Sequence, residues 1–65
     1  MIHLSERQKQ TLELLSYGLT NKAMAKKLFI SEPTVKKHIK DILEKLNAVN
    51  RTEGVAKALR MHILE

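Results

Sequence analysis

The stretch Thr20–Lys40, TNKAMAKKLFISEPTVKKHIK, is where the fold of this chain can be read. Ala23, Met24, Ala25 and Leu28 recur at helical spacing, and Phe29-Ile30 interrupts them. Ser31 followed by Pro33 then marks a fresh helix start, since serine caps free amides and proline in a first turn forfeits no hydrogen bond. The stretch predicts two short helices joined by a tight turn. Because Phe29 and Ile30 are both apolar, burial of both in the turn is expected. Steps of about 100° from Val35 place Val35, Ile39, Ile42, Leu43 and Leu46 on one stripe. Pro33, Lys36, Lys37, Lys40 and Glu44 gather around the opposite pole, and Thr34, His38, Asp41 and Lys45 lie along a flank. A helix packed on one side and cationic on the other suits a DNA major groove.

Working outward, Ser5-x-x-Gln8 is a capping box that opens a helix from about Glu6 to Tyr17. Thr11, Leu12, Leu14 and Leu15 form its inward side, with Arg7, Lys9 and Glu13 solvated. Gly18 ends it, because glycine accepts the left-handed conformation that closes a helix. Thr20 or Asn21 caps the second helix, which runs to about Leu28 and whose small alanines let a neighbour approach closely. Asn47-Ala48-Val49 breaks the third helix, and Asn50-x-x-Glu53 reads as a second capping box for a fourth helix to about Met61. There is no strand alternation, internal repeat or low-complexity tract. The expected fold is all-α, a compact four-helix bundle containing a helix-turn-helix, with residues 1–65 as one domain.

At 65 residues a domain buries only about 60% of its unfolded surface, so a thin core and marginal stability are expected. Cysteine is absent, which excludes disulfides and thiolate metal sites, and His3, His38 and His62 are too widely spaced for a familiar zinc pattern. No metal and no cofactor are expected. There is no apolar run long enough to span a membrane and no signal-peptide pattern at the start, so a soluble, cytoplasmic protein is expected. Paired carboxylates, a serine with a nearby His/Asp pair, and a phosphate-cradling glycine loop are all missing, which argues against an enzyme.

The formal charge of +5 attracts polyanions at long range. Tyr17 and Phe29 are the only aromatic residues, too few to serve as stacking platforms for single strands. Duplex DNA is the better fit. Lys36, Lys37 and Lys40 lie in the half of the third helix that reaches base edges. Thr20, Asn21 and Lys22 open the second helix, where free amides, a partial positive charge and the lysine would clamp a phosphate. His38 is expected in a phosphate or structural hydrogen bond.

The ordered residues Leu4-Ser5-x-Arg7, Leu12-x-Leu14-Leu15, Gly18-Leu19-Thr20-Asn21-Lys22 and Ala25-x-x-Leu28-x-Ile30-Ser31 carry a family resemblance. Thr34-Val35-Lys36-x-His38, Ile42-x-x-Lys45-Leu46 and Arg51-Thr52-Glu53 extend it over nearly the whole chain. In these positions the chain closely resembles the LuxR/FixJ-type (GerE-like) helix-turn-helix domain of bacterial response regulators. The resemblance implies sequence-specific binding of double-stranded DNA to regulate transcription, usually as a dimer. It implies base reading by Lys36, Lys37 and Lys40, and backbone contacts or their supports from Asn21, Lys22, Thr34 and His38. It also implies a dimer surface on the fourth helix. RNA polymerase and an N-terminal receiver domain enter as further partners through the resemblance alone.

Gln8 and Gln10 stand where that family commonly has acidic residues, Ala23 where it often has Glu, and Gly54 where it often has Ala. Fewer carboxylates imply weaker helix anchoring and a more positive surface. Within a helix Gly54 costs about 1 kcal/mol relative to alanine unless it admits a partner. Val55, Ala56, Ala58, Leu59, Met61 and Ile63 offer more apolar surface than a thin core can use. A weak homodimer through Gly54, Val55, Ala58 and Leu59 is therefore expected. Two other functions fit the same pattern: a sigma-factor-like promoter module, and a helical module binding a protein groove. Only the last would be nearly insensitive to salt.

Overall fold

The computed structural model describes residues 2–64, so the two terminal residues of the expected domain lie outside the described residues. Four helices follow in order, α1 (Glu6–Ser16), α2 (Asn21–Leu28), α3 (Glu32–Leu46) and α4 (Arg51–Arg60). The long helix α3 is the centre of the bundle and touches each of the other three, whereas α2 and α4 do not meet. Its stripe Val35, Ile39, Ile42 and Leu46 is buried against Leu4, Leu12 and Leu15 of the N-terminal part, Met24 and Ala25 of α2, and Ala58 of α4. Among the described residues, no helix is long and apolar enough to cross a membrane.

Every helix start is capped by a side chain. The Ser5 hydroxyl accepts the Gln8 N–H at 3.1 Å and the Gln8 side-chain oxygen accepts the Ser5 N–H at 3.0 Å, completing the expected box. Thr20, rather than Asn21, caps α2 through the Ala23 N–H at 3.1 Å. Ser31 caps α3 through the Thr34 N–H at 3.3 Å. Asn50 caps α4 through the Glu53 N–H at 2.8 Å, but the Glu53 carboxylate reaches one residue further back and accepts the Val49 N–H at 2.9 Å. The second capping box is thus displaced by one position.

The helix ends share one device. Gly18, Phe29, Asn47 and His62 all adopt positive φ, and the residue after each sends its N–H back to a carbonyl of the last turn. These bonds are Leu19 to Leu14, Ile30 to Ala25, Ala48 to Leu43 and Ile63 to Ala58. Left-handed closure of this type directs the next residue back toward the helix it ends. Leu19, Ile30, Ala48 and Ile63 all pack on the core edge as a result.

That geometry corrects two expectations. Phe29 is not buried: it occupies the left-handed position itself and is 94% exposed, while Ile30 alone turns inward. Gly54 and Ala58 are not available to a second copy, because the rest of the same chain already covers them. A Cβ on Gly54 would stand 2.5 Å from Leu43 Cδ2, and Ala58 is fully buried. The missing side chain at Gly54 is what lets α4 cross α3 so closely, and part of the apparent apolar surplus of α4 is spent inside the bundle. Leu59 remains exposed and Val55 half-buried.

Two further side-chain bonds meet at Arg7, one between helices and one within α1. Arg7, expected to be merely solvated, donates from its guanidinium to the Leu28 carbonyl at 3.0 Å and so closes the C-terminal end of α2. Buried Thr11 donates its hydroxyl to the Arg7 carbonyl at 2.8 Å, which satisfies a polar group inside the core.

Candidate nucleic-acid interface

Burying Val35, Ile39, Ile42 and Leu46 fixes the rotation of α3, and the residues half a turn away must then face outward. Lys36, Lys37 and Lys40 are accordingly exposed, with Glu44 one turn beyond Lys40 on the same side. Glu32 stands four residues before Lys36, yet the only ion pair among the described residues is Lys57 with Glu53, at 3.7 Å on α4. The three lysines are therefore not paired with carboxylates among the described residues. The flank is engaged differently: the Thr34 hydroxyl lies 2.8 Å from that of Ser31, bracing the cap. His38 is half-buried beside it, without a hydrogen-bond partner among the described residues.

At the start of α2, the Ala23 N–H goes to the Thr20 hydroxyl and the Met24 N–H to the Thr20 carbonyl at 2.9 Å. The amides of Asn21 and Lys22 are left without a protein acceptor among the described residues. Free amides at a helix start attract anions, and the exposed ammonium of Lys22 sits beside them. The side-chain oxygen of Asn21 is turned inward, buried and unpartnered. An outward contact from Asn21 is thereby confined to its backbone N–H and its amide nitrogen.

Charge is distributed far less evenly than composition suggests. Between positions 20 and 40, Lys22, Lys26, Lys27, Lys36, Lys37 and Lys40 face Glu32 alone, which accounts for the whole formal +5. The segments before and after balance: Arg7 and Lys9 against Glu6 and Glu13, then Lys45, Arg51, Lys57 and Arg60 against Asp41, Glu44, Glu53 and Glu65. The net field of the molecule therefore originates in the two helices of the helix-turn-helix. Lys26 and Lys27, which sequence periodicity did not single out, belong to it. Lys45 does not: its ammonium turns to α1 and donates to the His3 carbonyl at 3.1 Å and to the Gln8 side-chain oxygen at 2.9 Å. No local pattern signals that contact, because its partners are far away in sequence.

The chain is similar to known proteins in sequence and in fold. The family described as "Bacterial regulatory proteins, luxR family" matches residues 3–58. The uncharacterized transcriptional regulatory protein YxjL of Bacillus subtilis is 44% identical over 94% of this chain, which spans 28% of that relative's length. The spore germination protein GerE of Bacillus subtilis is 42% identical over 95% of this chain and 84% of its own length. The solved structure of the transcription factor GerE superposes with a TM-score of 0.90, covering 95% of this chain and 92% of GerE. The response regulator ChrA of a heme-sensing two-component system superposes with a TM-score of 0.92 at 42% identity, over 95% of this chain and 31% of ChrA.

Proposed function

The chain belongs to the luxR family of bacterial regulatory proteins, and we propose that residues 1–65 are a helix-turn-helix domain that binds specific double-stranded DNA to regulate transcription. The observation that carries this reading is the two-sided α3: a fully packed stripe on one side, and on the other Lys36, Lys37 and Lys40 without carboxylate partners among the described residues. Lys36, Lys37 and Lys40 read base edges from the groove. Thr20, Asn21 and Lys22 hold phosphate at the start of α2, with Thr34 and His38 supporting the backbone contact from the flank of α3. As the relatives are transcription regulators, we assign no catalytic activity to the chain and place it in the cytoplasm with the DNA.

The similarity to YxjL and ChrA, of which this chain spans less than a third, supports an effector unit joined to a receiver domain in a longer two-component protein, with RNA polymerase as the downstream partner. The exposed Leu59 and half-buried Val55 on α4 support a weak homodimer on two half-sites. Gly54 and Ala58 have no part in that contact.

Selection from a random duplex pool with the purified chain tests the reading, followed by Lys37→Ala and Lys40→Ala on the selected site. Each should lower specific affinity by about 1–3 kcal/mol, the worth of a good base contact, while leaving random duplex nearly unaffected. Equal losses on both would make these lysines phosphate contacts. A pool that yields no preferred sequence would refute specific recognition.

A further inference from the structure

We propose that Lys45 is a positioning residue for DNA reading, one that sets the angle at which Lys36, Lys37 and Lys40 enter the groove; this rests on the DNA-binding function proposed above. Lys45 is in the last turn of the reading helix, but its ammonium turns away from the groove side. It donates to the His3 carbonyl at 3.1 Å and to the Gln8 side-chain oxygen at 2.9 Å. The same Gln8 oxygen accepts the Ser5 N–H at 3.0 Å, so one atom closes the cap of α1 and anchors the far end of α3. Buried Leu4 pins the segment that carries the His3 carbonyl to the core. Both acceptors of Lys45 are neutral oxygens. They fix its direction without cancelling its charge.

A directional clamp matters because the stripe that α3 buries is apolar, and the one other side-chain bond reaching this end from another helix among the described residues, from the Lys57 ammonium to the Asn47 carbonyl, falls on the cap beyond the last turn. Hydrophobic contact is nearly indifferent to a small tilt, whereas hydrogen bonds weaken steeply with misalignment. Lys37 lies eight residues from Lys45, a lever of about 12 Å along a helix. A tilt of about 10° at the clamp would carry the Lys37 backbone by about 2 Å over that lever. Base hydrogen bonds do not tolerate such a displacement. A lysine that never touches DNA can thus decide which sequence is read.

The test uses Lys45→Met, which keeps the side chain's length and removes its donors, and Lys45→Arg, which keeps donors within reach of the same oxygens. With Lys45→Met, affinity for the duplex selected by the wild-type chain should fall about tenfold, the equivalent of one base contact. Affinity for random duplex and the salt dependence of binding should stay unchanged, and Lys45→Arg should restore specificity. Gln8→Leu should produce the same selective loss, and adding it to Lys45→Met should cost nothing more. A uniform loss with the logarithmic salt slope reduced by about 0.9 would make Lys45 a phosphate contact and overturn the proposal. A fall in melting temperature with the specific-to-random ratio intact would also overturn it, as a purely structural role, while leaving DNA binding standing. Failure of the wild-type chain to select any duplex would instead refute the DNA-binding function itself, and this proposal with it.

Discussion

Replacing Phe29 by glycine should make the chain more stable, although it deletes its only phenylalanine. Phe29 closes α2 at φ 57° and ψ 42°, where a side chain crowds the following carbonyl at a cost of about 1–2 kcal/mol. The ring offers little in return, being 94% exposed. Glycine removes the clash but gives up more backbone freedom on folding, about 0.5–1 kcal/mol. The balance is a gain of about 0–1.5 kcal/mol, and its mid-range value of about 0.75 kcal/mol is equivalent in a domain of this size to a rise in Tm of about 3–6 °C. Thermal unfolding followed by far-ultraviolet circular dichroism reads it, with a urea titration to check that the m value is unchanged. Gly18→Ala is the mirror experiment: at φ 81°, with nothing within 4 Å of an added Cβ, it should lose about 1 kcal/mol from the backbone alone. A lower Tm for Phe29→Gly would refute the argument, since it would mean that the ring holds the turn through contacts.

Lys22→Ala should weaken binding to all duplexes alike and reduce the logarithmic salt slope by about 0.9, one phosphate equivalent; a preserved slope removes Lys22 from the clamp. Gly54→Leu should cost about 2–3 kcal/mol by overpacking the crossing of α4 on α3, and Leu43→Ala in the same chain should recover part of it. Strict additivity in urea unfolding would show that the two positions do not share a contact. Leu59→Asp should abolish cooperative filling of two half-sites one DNA turn apart, about 34 Å, without affecting a single half-site. Unchanged cooperativity in sedimentation and titration would exclude α4 as the dimer surface.

Local chemistry was legible in the sequence wherever cause and effect lie within a few residues. Ser5 with Gln8, Ser31 before Pro33, Asn50 and the stop at Gly18 all act within one turn, and each behaves as its residue type predicts. Phe29 misled because hydrophobicity says nothing about backbone sign. A left-handed helix end sends two adjacent apolar residues to opposite fates, Phe29 to solvent and Ile30 to the core. Gly54 misled for a different reason: a small residue announces a close approach without naming the partner, and here the partner is Leu43 of the same chain. The clamp from Lys45 to His3 and Gln8 joins the last turn of α3 to the N-terminal part of the chain. Gln8 could be recognised as half of a capping box but not as a receiver of a distant lysine.

The outward position of Lys36, Lys37 and Lys40 was legible because burial of one helix side dictates the other, and the same coupling makes fold and candidate site separable. Val35, Ile39, Ile42 and Leu46 hold α3 in the bundle from within, and no side-chain hydrogen bond or ion pair of Lys36, Lys37 or Lys40 is present among the described residues. Their replacement can therefore alter what is bound while leaving the core untouched. Lys45 lies at the junction of the two sides, on the reading helix by sequence and in the scaffold by contact. Lysines on one helix thus divide into three that face solvent and one whose ammonium is held by His3 and Gln8, and only the direction of the side chain tells them apart.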